Sequence, residues 1–559
     1  MGGNAFKTLH CPRIPPEVYA KVKTITTKAL ETVFAHVTVP FEVPDKSDFG
    51  DIDFLVSAPF EDRTALCLTT FPFPTVIEAI KNVLGTPHGR RGFLTPDCMY
   101  FAIPLSAGLN TTTNNDENSD DEELAAWVQV DVKICFKPEL FSWMTFELNY
   151  ASQSGVLGSM IKPLGLTIDP EGLHVRVQEM EDTDWPGSMV WVTRDSWMVC
   201  RILGLGRRAV DGGFERSEEI YAEYAASWMF HPGHFKAKLE EDSYLVQHGH
   251  RSHFLKKWIP EHYPNYEFSA KKGGAEELLA WTARTRTAVR EKVFTMFPQV
   301  AVEYYTKRAQ HTGEMEERRL RDLITNAIPS GTTGWSDDFQ LPRIRIRQPA
   351  SSTLHAQPMT MQHGAPTPPP SPIHQPTDLK TQLPSSRLCV STINPWEIPL
   401  HIDELPRQPP HACKPAPPPL GMSATARLTC LARWTSFSPT GVPCLLPSPH
   451  AKDFTLQWRD AIARGFGEGA LVQWARDVWW CVWVRQCVVN WRGMWARRFE
   501  KEDVKAEKAR VEEEELVEKE SAQREFRAKA EELVRKNKEK MLGRLEVLNR
   551  LLGLVEERK

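Results

Sequence analysis

The sequence predicts an α+β fold: a mixed sheet with helices, followed by a mainly helical region and a long C-terminal helix. Residues 127–135, WVQVDVKIC, alternate apolar and polar side chains, which is typical of a half-buried strand. Residues 16–36 carry apolar side chains on one side at helical spacing, and residues 73–85 show a similar pattern that ends at a glycine. Residues 499–559 are highly charged and end in an apolar seam of two heptads, which indicates a long helix with coiled-coil character.

Composition limits the class of protein. The 559 residues, 41% of them apolar, include 18 tryptophans and can form several domains or one large one. A formal net charge of −4 excludes a general polyanion-binding character. The 11 cysteines show no zinc-type spacing, so we expect reduced thiols and a cytoplasmic or nuclear location. The first ten residues lack the apolar segment of a secretory signal, and the most apolar segment, 471–489, contains three charged residues. We therefore expect a buried helix there and no membrane partner.

The order of the predicted elements suggests four regions. Strands at 99–105 and 127–135 are expected to pair as an antiparallel hairpin around a disordered acidic insertion at 110–123. Long helices are predicted at 274–297 and 301–328, and proline-rich segments such as APTPPPSP and PAPPPL follow them. The predicted division is an α+β domain at 1–180, a mainly helical domain at 181–328, a Pro-rich disordered linker at 329–450, and a C-terminal helical region at 451–559 that packs back on 270–326.

Three aspartates are the candidate site. In FGDIDFLV, residues 49–56, Asp51 and Asp53 alternate with apolar residues and share the polar face of a predicted strand. Asp131 lies on the polar face of the strand at 127–135. If the two strands are neighbours, the carboxylates converge and require a cation, for which Mg²⁺ or Mn²⁺ suits oxygen ligands. Two alternatives stay open: aspartates also collect at turns, where they bond local backbone, and a lysine or water could neutralise the acids instead.

The order of a helix, GDIDFLV, a helix, a strand and VQVDVKI resembles the nucleotidyltransferase superfamily, the DNA polymerase beta-like fold. The segments GGNAFKTLHCPR and KSDFGDIDFLV also resemble fungal nucleotidyltransferase-like proteins. The resemblance covers about residues 1–180, with weaker likeness through the helical region near 325. It implies that Asp51 and Asp53 bridge two metal ions and that Asp131 binds the catalytic metal. The implied reaction transfers a nucleoside monophosphate from an NTP to a hydroxyl of RNA, a protein or a small molecule.

One feature of the family is missing. Its members usually carry a Gly-Gly or Gly-Ser pair about ten residues before the acids, whereas this chain has VPFEVPDKSDFGD there. Either Lys46, Ser47 and Gly50 form a remodelled phosphate loop, or the nucleotide site is degraded. Lys133 is expected to contact phosphate or to neutralise the acids, and Gly2-Gly3 is expected to be a flexible terminus or a phosphate cradle.

A catalytically inactive scaffold is the alternative class of function. In that case the Pro-rich linker and the C-terminal helix would serve as surfaces for protein partners.

Overall fold

A computed structural model describes residues 3–60, 67–105, 126–235, 250–264, 266, 274–347 and 394–556. The chain is a mixed α/β protein that divides into two compact units, Met1–Thr312 (unit 1) and Gly313–Lys559 (unit 2). The acidic insertion predicted at 110–123 and the proline-rich residues 348–393 lie outside the described residues.

The described helices and strands are as follows. The helices are α1 (Pro16–Leu30), α2 (Phe73–Leu84), α3 (Phe141–Ile161), α4 (Ser196–Leu203), α5 (Arg208–Asp211), α6 (Ser217–Ala226), α7 (His250–His253), α8 (Ile259–His262), α9 (Gly274–Met296), α10 (Pro298–Ala327), α11 (Ala424–Arg433), α12 (Arg459–Ala463) and α13 (Glu468–Glu556). The strands are β1 (Phe34–Thr38), β2 (Asp51–Pro59), β3 (His88–Arg91), β4 (Cys98–Pro104), β5 (Trp127–Cys135), β6 (Leu166–Asp169), β7 (Gly172–Arg176), β8 (Met189–Thr193), β9 (Ile344–Arg347), β10 (Leu400–Asp403), β11 (Thr435–Phe437) and β12 (Pro443–Leu445).

A five-stranded mixed sheet in the order β1-β2-β5-β4-β3 forms the first part of unit 1. Strands β2 and β5 are parallel, and the other three pairings are antiparallel, including the predicted hairpin of β4 and β5. Alternation fixes which side chains face each way. Ile52 and Phe54 of β2 join Val130 and Val132 of β5 in one core with α1 and α2. The odd-numbered residues of both strands therefore face the other side of the sheet.

The predicted boundary at residue 180 does not separate two cores. One hydrophobic cluster extends from Val43 and Trp143 to Val289 and Tyr304, and it includes the antiparallel sheet β6-β7-β8. Helix α3 contributes its buried face to this cluster, so the predicted helical domain and the end of the predicted α+β domain share one hydrophobic core. The apolar residues of this shared core are spread over both predicted regions, so the spacing of residues along the sequence did not reveal the shared core.

Unit 2 corrects the prediction of a disordered linker over 329–450. Within that range the structure contains α11, the β11–β12 hairpin and the parallel pair β9–β10. Leu400, Leu431 and Trp434 are fully buried against the Trp-rich part of α13. These few apolar residues are enough because a large apolar partner helix is present to cover them. Proline-rich composition therefore overstated disorder for residues 394–450.

Helix α13 has two different halves. Its Trp-rich part shares a core with Leu320 and Ile324 of α10, whereas residues 500–553 are exposed throughout. The expectation that the charged helix also packs back on 270–326 is therefore wrong: its apolar side chains, Phe526 and Leu548 among them, are exposed. In the described part of the chain, no helix is both long and apolar enough to span a membrane.

Candidate active site

The strand register brings the predicted aspartates together. Strands β2 and β5 are parallel neighbours in which Asp53 is directly opposite Asp131, and Asp51 is opposite Gln129. Neighbouring strands lie about 4.8 Å apart, and residues in register share a face. The expected convergence of the two strands is therefore confirmed, and all three carboxylates emerge on the face opposite the α1–α2 core.

The acids lie at the uncovered end of that face. Further along the same two strands, Leu55 and Cys135 pack against Leu140 just before α3. Helix α3 thus covers the lower part of the face, and we call the part around the three carboxylates the cleft. Asp53 is exposed at its tip, while Asp51 and Asp131 are half-buried.

Burial, and after it the charges of neighbouring acids, raise the pKa of all three carboxyls. Burial among the strands and the charges of Asp51 and Asp53 raise the pKa of Asp131 to about 8, although a hydrogen bond from Gln129 lowers it. Burial, Asp51 and Glu42 raise the pKa of Asp53 to about 6. The pKa of Asp51 is also raised, by burial and then by Glu42. Although solvent reaches Asp53, the cleft walls displace enough water to destabilise its charged form. The site therefore destabilises the ionised form of each carboxyl.

The loop before β2 adds a fourth acid that the sequence analysis missed. Glu42 lies close enough to raise the pKa of Asp51 and Asp53 and accepts a hydrogen bond from the Tyr19 hydroxyl at 3.3 Å. Lys46 forms an ion pair with Glu42 and lowers the pKa of both aspartates. Glu42 stands between prolines in a segment without periodicity, so no sequence signal pointed to it.

This loop is held by backbone contacts on both sides of Glu42. The Phe41 amide donates to Asn149 Oδ1 at 2.9 Å, and its carbonyl accepts from the Tyr150 amide at 2.7 Å, where α3 is broken. The Ser217 amide donates to Asp45 Oδ2 at 2.8 Å. Glu42 and Lys46 are consequently fixed at the cleft by the second half of unit 1.

The other predicted phosphate-binding residues have mixed outcomes. Ser47 is exposed in the same loop and Gly50 immediately precedes β2, but the described hydrogen bonds join neither to the three carboxylates. Lys133 Nζ pairs with Asp97 Oδ2 at 2.8 Å rather than with Asp131. Burial lowers the pKa of Lys133, but the hydrogen bond and charge of Asp97 outweigh it and raise the pKa overall. Lys133 thus has Asp97 as its ion-pair partner, and its charge lowers the pKa of Asp53.

The N-terminal segment reaches the site through Gln129. This buried side chain accepts a hydrogen bond from the Ala5 amide at 2.8 Å and donates to Asp131 Oδ1 at 2.7 Å. Gly3 packs so closely that a Cβ there would lie 2.4 Å from Gln129 Oε1. Arg90 Nη2 donates to the Ala5 carbonyl at 2.6 Å and lowers the pKa of Asp131. Gly3 is therefore neither a loose terminus nor a demonstrated phosphate cradle, and Gly2 lies outside the described residues.

Gln129 and Arg90 were also missed by the sequence analysis. Gln129 stands two residues before Asp131 on the same polar face, so the alternation of β5 contained the signal. Arg90 belongs to a short strand without a clear pattern of apolar and polar residues, so the sequence contained no signal for its role.

The chemistry of the donor set fits a hard divalent cation, but its present arrangement does not hold one. Three carboxylates facing one cleft are suitable ligands for Mg²⁺ or Mn²⁺. Among the residues that the structure describes, however, no group of three or more His, Cys, Asp or Glu side chains has an arrangement that would hold a metal ion. The hydrogen bond from Gln129 goes to one oxygen of Asp131, Oδ1.

Comparison with known proteins does not add a family. No protein-family model matches the sequence, and no curated protein is significantly similar to it. What the cleft binds must therefore be inferred from its own residues.

Proposed function

We propose that unit 1 is a metal-dependent nucleotidyltransferase of the DNA polymerase beta-like type, transferring a nucleoside monophosphate from an NTP to an acceptor hydroxyl. The observation that carries the proposal is the register of Asp53 opposite Asp131, with Asp51 on the same open face. The raised pKa of each carboxyl supports it, because buried carboxyls beside other acids are more stable in ionised form when a cation is bound. The acceptor is RNA, a protein or a small molecule.

Asp51, Asp53 and Asp131 would hold Mg²⁺ or Mn²⁺. When bound, the cation supplies charge neutralisation for the triphosphate and lowers the pKa of the acceptor hydroxyl. In its absence the raised pKa of Asp131, about 8, favours the protonated carboxyl near neutral pH. Binding at this site therefore displaces a proton from Asp131.

Lys46 is our candidate for contacting the triphosphate, because its charge lowers the pKa of Asp51 and Asp53. Its partner Glu42 and the aspartates lie around the same cleft, and its ion pair is partly exposed. An exposed ion pair contributes only about 0–1 kcal/mol, so exchanging Glu42 for a phosphate costs little. Lys46 thus takes part of the role that a glycine-rich phosphate loop has in the family.

Nucleotide binding is tested by thermal unfolding with each NTP, with and without Mn²⁺. We expect the melting temperature to rise only when NTP and Mn²⁺ are both present, because ligand binding to the folded state stabilises it by mass action. Asp53→Asn should abolish the rise. Asp48→Asn is the matched control, since Asp48 is an exposed aspartate paired with Arg13.

The second candidate function is an inactive scaffold that keeps the fold. Two observations favour it: the glycine pair of the family is missing, and no metal-holding arrangement occurs in the described residues. A scaffold would show no Mn²⁺-dependent stabilisation by any NTP, in wild type or variants.

A further inference from the structure

Strand β9 is an exposed edge strand in unit 2. It pairs in parallel with β10 and with no other strand among the described residues. All four residues of β9 are exposed, whereas Leu400 and Ile402 of β10 are buried in the core of unit 2. Because an edge strand presents unpaired backbone groups, it is a template on which another chain can pair.

The backbone groups of Ile344 and Ile346 point away from β10. The Leu400 amide donates to the Arg343 carbonyl at 2.8 Å, and Leu400 is in register with Ile344. Alternate residues of a strand direct their N–H and C=O groups to opposite neighbours. Arg343 and Arg345 therefore bond β10, whereas the two isoleucines direct their N–H and C=O groups to the outer edge. Within the described part of the chain, these outer groups make no hydrogen bond.

One face of β9 continues the apolar core of unit 2. Ile344 and Ile346 are in register with the buried Leu400 and Ile402, yet they are 43% and 50% exposed. The core is therefore left uncovered at its outer edge. A strand added beside β9 would cover both isoleucines if every second one of its residues were apolar.

The other face of β9 carries arginines. Arg343, Arg345 and Arg347 alternate with the isoleucines, which spaces their side chains about 7 Å apart. Arg347 is in register with Asp403 and donates to Ser448 Oγ at 2.7 Å, so an acid lies beside it. Arg343 and Arg345 are exposed, and no ion pair of either occurs among the described residues.

The acids near this end of the sheet do not balance those two arginines. Arg347, Asp403, Glu404 and Arg492 line one cavity of about 370 Å³, in which two acids face two basic residues. The charges of Arg343 and Arg345 are additional to this balanced group. The exposed edge of β9 therefore combines unpaired backbone, an apolar face and an excess of positive charge.

We propose that β9 binds an extended peptide segment of a protein partner by strand addition, and that acidic and apolar residues alternate in this segment. Backbone hydrogen bonds to Ile344 and Ile346 provide the pairing. Carboxylates about 7 Å apart along the added strand face Arg343 and Arg345, while its apolar residues cover the two isoleucines. Arginine suits this role because its planar guanidinium binds a carboxylate through two parallel hydrogen bonds.

The first test is fluorescence anisotropy of a labelled seven-residue peptide of alternating Glu and Val, titrated with the full chain in about 0.15 M salt. We expect saturable binding with a Kd below about 100 μM, as for a short transient contact. Two other peptides should bind about tenfold more weakly or worse: one of the same composition with its Val residues consecutive, and one of alternating Lys and Val. Equal binding of the three peptides would overturn the proposal.

Charge exchange tests the role of the arginines. Arg343→Glu/Arg345→Glu should weaken binding of the Glu–Val peptide about tenfold or more and make the Lys–Val peptide the tighter ligand. Arg527→Glu/Arg544→Glu is the matched control, since both residues are exposed on α13, and it should keep the wild-type preference. A preference for the Glu–Val peptide that survives in Arg343→Glu/Arg345→Glu would show that β9 does not select the acidic residues.

Proline substitution separates strand addition from simple attraction of charges. Ile346→Pro removes an N–H that β10 does not use, so the melting temperature should fall by less than about 3 °C. Binding of the Glu–Val peptide should nevertheless weaken about tenfold or more relative to Ile346→Ala, which keeps the N–H.

Two further results would contradict strand addition at β9. Ile346→Pro and Ile346→Ala variants that bind the Glu–Val peptide equally would mean that the outer backbone groups take no part. A wild-type chain that does not bind this peptide at about 1 mM would mean that the arginines only protect the edge from pairing.

Discussion

Replacing Asp131 with asparagine should stabilise the metal-free protein, and more strongly at higher pH. The folded-state pKa of about 8 exceeds the ordinary value of 3.8, so folded Asp131 keeps a proton that the unfolded chain releases. The wild type therefore loses stability as pH rises from about 4 to about 8. Asparagine removes that loss and can still accept the hydrogen bond from Gln129.

The magnitude follows from the pKa difference. At about 1.4 kcal/mol per unit, the loss reaches about 5 kcal/mol at pH 8 and about 2 kcal/mol at pH 5. Water in the open cleft screens part of the repulsion, so we expect Asp131→Asn to gain about 2–3 kcal/mol at pH 8 and about 1 kcal/mol at pH 5.

The assay is urea unfolding of chelator-treated protein at both pH values, with Asp48→Asn as the control. Asp48 pairs with Arg13 at the surface, so its loss should lower the free energy of unfolding by about 0–1 kcal/mol. The reasoning is refuted if Asp131→Asn lowers the free energy of unfolding at pH 8, because Asp131 would then be a structural partner rather than a repelled carboxylate.

Three further changes test other parts of the account. Lys46→Ala should raise the KM for NTP about tenfold with little change in kcat, as measured by steady-state kinetics. The control is Lys81→Ala, which removes an ion pair with Glu78 within α2 and should leave the KM unchanged. Gly3→Ala should lower both the melting temperature and the transfer activity, because its Cβ would clash with Gln129. A normal melting temperature together with normal activity would show that the N-terminal segment does not support Asp131. Arg485 is fully buried and donates to the Ile398 and Pro395 carbonyls, so Arg485→Ala should cost about 3 kcal/mol in unfolding of unit 2, and an unchanged denaturation midpoint would contradict this.

The strands that hold the acids were predictable because their signal is local. Strict alternation in residues 127–135 predicted β5, and FGDIDFLV predicted the polar face of Asp51 and Asp53. The parallel pairing of β2 with β5 places Asp53 opposite Asp131. The sequence did not predict this pairing; the predicted site assumed that the two strands are neighbours. Pairing depends on contacts between residues about 80 positions apart, and a local pattern does not specify them.

The remaining features depend on contacts over longer distances. Glu42 faces the acids because Phe41 is bonded to the break in α3 more than 100 residues later. Residues 394–450 looked disordered because their few apolar residues are sufficient only when the Trp-rich part of α13 covers them. Composition describes what a segment can bury by itself, whereas these segments bury their apolar residues against distant ones.

The most direct test of the central claim is nucleotidyl transfer by the full chain. The protein is incubated with each α-labelled NTP, Mn²⁺ and a panel of RNA, protein and small-molecule acceptors, alongside Asp131→Asn and Asp48→Asn. The account predicts a labelled product with wild type and Asp48→Asn, and none with Asp131→Asn. Equal labelling by Asp131→Asn and wild type, or no labelled product with any NTP and acceptor, would contradict it.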